Sequence, residues 1–180
     1  MASSRALNII ASFCLLSSFV LLGTSTRQLN QQQDLVSFAC NNTIYVEVCM
    51  SSLRSYPLSK TADLRGLASI ALNLSIAHGK ETKYHIHDLK SKSVSESRCL
   101  NECKEEYGDA VENLEDSVHA LRIRFYDEVN TLVSAAMTDS DTCDDCFTEI
   151  DQVRENPLTE RNEYFHKLCS NFLSITKLLF

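Results

Sequence analysis

Apolar residues recur at helical spacing along most of this chain. From Thr61, read as an N-cap, they fall at Leu64, Leu67, Ala68, Ala71, Leu72, Ile86 and Leu89, with Ser75 in register, which predicts one long helix disturbed at Gly79. A second helix starting near Ser95 gathers Cys103, Tyr107, Ala110, Val111, Leu114, Val118 and Leu121 on one face. A third carries Val129, Leu132, Val133, Ala136 and Met137 and continues, with a kink at Asp139 to Asp141, through Cys143 and Phe147. After Asn156-Pro157 a fourth places Phe165, Leu168, Phe172, Ile175 and Leu179 along one stripe. No strand alternation interrupts the series, and Asp34 to Arg54 read as a short helical hairpin before it. The prediction is an all-α fold, an up-down-up-down four-helix bundle with an N-terminal α-helical hairpin.

The first residues differ from the rest. Arg5 precedes a continuous apolar stretch, Ile9 to Leu22, which ends in Gly23-Thr24-Ser25-Thr26. Fourteen residues containing Ser12, Ser17 and Ser18 fall short of the roughly twenty that span a bilayer, so residues 1–26 are read as a cleaved secretory signal. Residues 27–60 then form the hairpin and 61–180 the bundle, together one domain. Its expected location is extracellular, where cysteines oxidise. Without Arg5 the chain has 24 acids and 16 bases, a net charge of −8 that disfavours nucleic acid and anionic lipid and favours a basic partner. Gly (four) and Pro (two) are too scarce for a substrate pocket built of tight loops.

The cysteines test the topology. Facing residues of an antiparallel helix pair have numbers with a nearly constant sum, because one chain ascends as the other descends. Cys103 and Cys143 add to 246, and Cys99 and Cys146 to 245, which places the turn at Arg122 to Ile123. The implied cross-links are Cys40 with Cys49, Cys103 with Cys143, and Cys99 with Cys146, the last two stacked on one seam. Closing the loop between Cys103 and Cys143 stabilises by ~4 kcal/mol on a chain-entropy estimate, and the Cys40 to Cys49 loop by somewhat under about 3. Cys-x3-Cys with a distant Cys-x2-Cys also fits a four-thiolate zinc site, which a reducing compartment would favour. Cys169, beside Leu168, is left as a buried free thiol.

Other chemistry is sparse. His85 and His87 point apart on a helix, and no metal or cofactor role is assigned to them. No phosphate loop, Gly-x-Ser-x-Gly or His-Glu-x-x-His occurs, so no catalytic residue is named. Glu105, Asp109, Glu112 and Asp116 form a stripe on the side of the second bundle helix away from its core face, either simply solvated or docked on a basic surface. Asn41-Asn42-Thr43 and Asn73-Leu74-Ser75 make Asn41 and Asn73 glycosylation candidates.

These residues carry a resemblance. The Cys40-x8-Cys49 hairpin, the run from Thr61 to Ala68, Cys103-x3-Tyr107-x-Asp109-Ala110, Ser134-Ala135-Ala136 and Thr142-Cys143-x-Asp145-x-Phe147 resemble, in order and over the whole mature chain, the plant invertase and pectin methylesterase inhibitor family. Thr61 to Gly79 is similar to members described as invertase inhibitors. The resemblance implies a non-catalytic bundle without cofactor that occludes the active-site cleft of a secreted carbohydrate-active enzyme in a one-to-one complex. It implies the pairs Cys40–Cys49 and Cys103–Cys143 and a free Cys169, whereas Cys99 and Cys146 lie outside the family pattern. Helices of the bundle would face the target, so Glu105, Asp109, Glu112, Asp116 and Thr142 are the expected partner-facing residues. Family members directed at invertase can carry Pro-Lys-Phe at the turn between the second and third helices, where this chain has Phe125-Tyr126-Asp127. Pectin methylesterase is therefore the first expected target in the cell wall (apoplast), acid invertase the second, and a non-inhibitory secreted bundle the alternative.

Overall fold

The starts of the two longest helices can be traced to a local signal in the chain. In the computed structural model, which describes residues 35–150 and 156–180, α1 (35–41) and α2 (Val46–Ser55) form the N-terminal hairpin. The expected signal segment and Asp34 lie outside the described residues. A 3₁₀ turn, Pro57–Lys60, leads to α3 (Leu64–Asp88). The bundle continues with α4 (Val94–Arg122), α5 (Tyr126–Thr148) and α6 (Thr159–Thr176), and a final 3₁₀ turn covers Lys177–Leu179.

Three local expectations change. The N-cap of α3 is Asp63, whose carboxylate accepts from the Gly66 backbone N–H at 2.7 Å, and not Thr61, whose hydroxyl donates back to the Leu58 carbonyl. Gly79 leaves α3 unbroken. A Cβ there would stand 3.0 Å from Val111 Cγ2 and 3.2 Å from Phe165 Cε2, so the glycine serves the close approach of α4 and α6 to α3. Residues 139–141 also lie within one continuous helix, where the Asp139 carboxylate accepts from Asn113 Nδ2 on α4 at 3.2 Å. The start of α4 is a variant of the capping box: Ser93 Oγ accepts from the Glu96 N–H, and the Glu96 carboxylate reaches back to accept from the N–H of Lys92, one residue before the N-cap.

Each long helix packs on its two neighbours in the ring α3, α4, α5, α6, the arrangement of an up-down-up-down bundle. The predicted faces supply the core. Leu67, Leu72, Tyr107, Leu114, Val129, Val133, Phe165, Phe172 and Ile175 are fully buried, each large apolar side chain contributing about 1.5–3 kcal/mol. The Tyr107 hydroxyl donates to Asn162 Oδ1 at 2.7 Å, and Asn162 Nδ2 donates to Asp144 Oδ1 at 2.7 Å, joining α4, α6 and α5 through one chain that runs from the core to the half-buried Asp144. Asn171 fastens the hairpin to α6 by donating to the Tyr45 carbonyl and accepting from its N–H.

Among the described residues three disulfides are present: Cys40–Cys49 within the hairpin, and Cys99–Cys146 and Cys103–Cys143 between α4 and α5, with Cα separations of 5.6 and 4.6 Å for the last two. The zinc alternative is thereby corrected, since all four of those sulfurs are bonded in pairs and none is left as a thiolate ligand. Cys169 is free and fully buried, and burial pushes its thiol up to about 12.

Candidate functional site: the acidic flank of the bundle

Helix α4 presents one outward ridge. Glu105, Asp109, Glu112 and Asp116 recur at helical spacing opposite Tyr107 and Leu114, and all four are exposed. On the α3 side this ridge borders an open depression of about 560 Å³ lined by Lys83, Asn101, Lys104, Glu105, Gly108 and Asp109. Lys80 pairs there with Glu115 at 2.5 Å.

The α5 side has the opposite character. Glu106 is half-buried, and its carboxyl is held above the usual range by partial burial, then by repulsion from Asp139, Asp109, Glu102 and Glu105. Asp139 is raised by burial and by Asp109, against the lowering effect of the Asn113 hydrogen bond. Asp144 is raised by burial, opposed first by the hydrogen bond from Asn162, with Asp141 and Asp145 adding repulsion. Carboxylates from two helices therefore share a field in which, among the described residues, no cation is close enough to form an ion pair with Asp139, Asp144 or Glu106. Such a surface attracts a basic partner over long range and releases repulsion when one arrives.

The stripe read from sequence is thus one half of a broader feature. Thr142 stands three residues after Asp139 on α5, half-buried, its hydroxyl donating to the Thr138 carbonyl at 3.0 Å. The sequence reading missed Glu106, Asp139 and Asp144, although the constant sum that pairs the cysteines also sets Glu106 opposite Asp139. Away from this flank, Asn41 and Asn73 are both exposed. Asn73 lines a separate depression with Arg65, Ser69, Val118 and Arg122.

The α4–α5 turn forms a second feature, at the far end of both helices from the disulfides. Arg124 adopts φ 64°, while Phe125 N–H donates to the Ala120 carbonyl and Arg124 N–H to that of Leu121, a Schellman ending with a non-glycine residue in the left-handed position. It leaves Ile123 56% and Phe125 54% exposed. Tyr126 stacks on Phe180 beside them with ring centroids 5.1 Å apart.

The model of the family described as plant invertase/pectin methylesterase inhibitor matches residues 34–175. The chain belongs to that family. Its members are inhibitors and not enzymes, in keeping with a site made of surface charge. A "Putative invertase inhibitor" of Platanus acerifolia is 32% identical over 154 residues, covering 81% of this chain and 86% of that protein. A "Pectinesterase inhibitor" of Actinidia deliciosa is 25% identical over 174 residues, covering 96% and 94%. The crystal structure of mutant form A of a pectin methylesterase inhibitor from Arabidopsis superimposes with a TM-score of 0.67 at 24% identity, covering 79% of this chain and 95% of that one, and so shares the fold. The family works through protein partners, pectin methylesterase or invertase, and both kinds of name occur among the relatives of this chain.

Proposed function

We propose that this inhibitor is secreted, after loss of residues 1–26, into the cell wall and occludes the active-site cleft of a pectin methylesterase in a non-covalent one-to-one complex. The carboxylate field shared by α4 and α5 carries this reading. Glu105, Asp109, Glu112 and Asp116 form its exposed ridge, Asp139 and Glu106 its half-buried edge, and Thr142 adjoins it. A basic rim around the target's cleft would dock there, with an attraction that steers association and weakens with salt.

The test is a titration of pectin methylesterase and acid invertase with the disulfide-intact protein, scored by residual activity. The expected result is stoichiometric inhibition of pectin methylesterase that weakens as ionic strength rises. Association should slow after Asp109→Asn with Glu112→Gln while circular dichroism stays unchanged. Inhibition of neither enzyme, over several isoforms and from acidic to neutral pH, would leave a non-inhibitory secreted bundle.

The exposed turn supports acid invertase as the second reading. Phe125 projects where invertase-directed members of the family can carry Pro-Lys-Phe, although the Pro and Lys are missing here. Inhibition of invertase alone, lost on Phe125→Ala, would reverse the ranking.

A further inference from the structure

The positive charge of this acidic inhibitor is unevenly placed. Residues 80–104 hold six of the seventeen lysines and arginines against four acids, a local charge of +2, which leaves −9 for the rest of a chain whose total is −7. One of the four acids, Glu96, is buried and spends its carboxylate on the Lys92 N–H in the α4 cap. Lys80 is paired with Glu115, but Lys83, Lys90, Lys92, Arg98 and Lys104 are exposed and have no acid within ion-pair distance among the described residues.

The fold draws these five into one band. Lys90 and Lys92 occupy the α3–α4 turn, Arg98 follows on the first turns of α4, and Lys104 faces Lys83 across the α3–α4 depression. From the start of α4 to Lys104 the band extends about 15 Å along the helix axis. Gly108 keeps the depression open: a Cβ there would stand 2.9 Å from Lys83 Nζ, in the space that ammonium now occupies. Asp88 at the end of α3 and Glu102 between Arg98 and Lys104 interrupt the band without pairing with its cations, Glu105 and Asp109 mark its edge toward the partner-facing ridge, and Tyr84 and Val94 stand exposed beside the turn.

A row of unpaired cations flanked by an exposed aromatic ring matches a linear polyanion. From this charge complementarity we infer that the band binds the carboxylate-rich polysaccharide left when pectin methyl esters are hydrolysed, a polyuronate chain. The choice of polymer rests on the pectin methylesterase reading above; the surface itself does not. Docking centred on Lys90, Lys92 and Arg98 would leave Glu112, Asp116 and the acids of α5 free, so the inhibitor could be held in the wall beside demethylated pectin, where its target has been active.

The experiment is isothermal titration of the full protein with polygalacturonate, with highly methyl-esterified pectin, and with vesicles of phosphatidylserine and phosphatidylcholine. Polygalacturonate should bind, more weakly as salt rises, and esterified pectin should bind far less. Lys90→Gln with Lys92→Gln and Arg98→Gln should lower the affinity for polygalacturonate by at least about tenfold. The same variant should inhibit pectin methylesterase as the wild type does, which separates failure of the band from failure of the inhibitor reading. Equal binding of both pectins, an unchanged affinity in the variant, or binding to vesicles and not to polygalacturonate would overturn the inference.

Discussion

Two glycines in the middle of helices should respond in opposite directions to the same substitution. Replacing a mid-helix glycine by alanine stabilises by about 1 kcal/mol through helix propensity alone. At Gly108 the new Cβ meets only the far end of Lys83, Nζ at 2.9 Å and Cε at 3.7 Å, on a flexible, solvent-exposed side chain that can swing away. Gly108→Ala should therefore retain most of that gain. At Gly79 the new Cβ meets Val111 Cγ2 at 3.0 Å and Phe165 Cε2 at 3.2 Å. Val111 is β-branched, and Phe165 is fully buried with its ring edge-on to Tyr107 at 5.4 Å, so neither can yield without moving its neighbours. Overpacking of this kind costs about 1–3 kcal/mol, which offsets the propensity gain and leaves Gly79→Ala destabilised by up to about 2 kcal/mol. The two variants should thus differ by roughly 1–3 kcal/mol, measured as midpoints of urea unfolding by far-UV circular dichroism with the disulfides intact. If both shift upward by similar amounts, Gly79 is not the point where α4 and α6 close on α3.

Leu114→Ala, at a fully buried position, should destabilise by about 2–5 kcal/mol, while Glu112→Ala stays within about 0.5 in the same unfolding assay; equal losses would mean that the phase of α4 is wrong. Replacing Cys99 and Cys146 by serine should cost much less than also removing Cys103 and Cys143, because the surviving bond still closes a forty-residue loop worth ~4 kcal/mol; thermal melts of the two variants check this. The raised carboxyls give a pH dependence with a definite sign. The folded chain holds protons on Glu106 and Asp139 more tightly than the unfolded chain does, so their contribution favours folding in acid and is lost as pH rises through their raised folded values. A melting series from acid to neutral pH should show this loss in the wild type and a flatter profile in Glu106→Gln with Asp139→Asn.

Most of the bundle was legible because burial repeats with the helical period. Leu67, Tyr107, Leu114, Val133, Phe165 and Phe172 could each be assigned to the core from their neighbours at three and four residues. The constant-sum argument worked because antiparallel register is a matter of counting, and the same counting would have paired Glu106 with Asp139 had it been applied to acids. The cap of α3 was harder, since Thr61 and Asp63 are both acceptable N-caps and only the course of the preceding 3₁₀ turn decides between them. Gly79 could not be interpreted from the sequence alone, because the atoms that require it, on Val111 and Phe165, are 32 and 86 residues away along the chain. The acidic site was half visible for the same reason: one stripe lies on a single helix, but the upward shifts of Glu106, Asp139 and Asp144 arise only where helices meet.

The paired bonds between α4 and α5 bear on how binding begins. The two helices that carry the carboxylates are covalently joined at the level of Cys99 to Cys103, while α3 and α6 are held to them by packing, hydrogen bonds and the exposed Lys80–Glu115 ion pair, without a cross-link. A fluctuation that loosens α3 or α6 can therefore leave the relative placement of the acids on α4 and α5 nearly unchanged. Little conformational freedom remains for that face to lose on docking, so more of each contact's energy is retained as affinity. Reduction would reverse this: a chain that still folds would have to order its binding face anew in every encounter, and the effect should be seen in binding before it is seen in helix content.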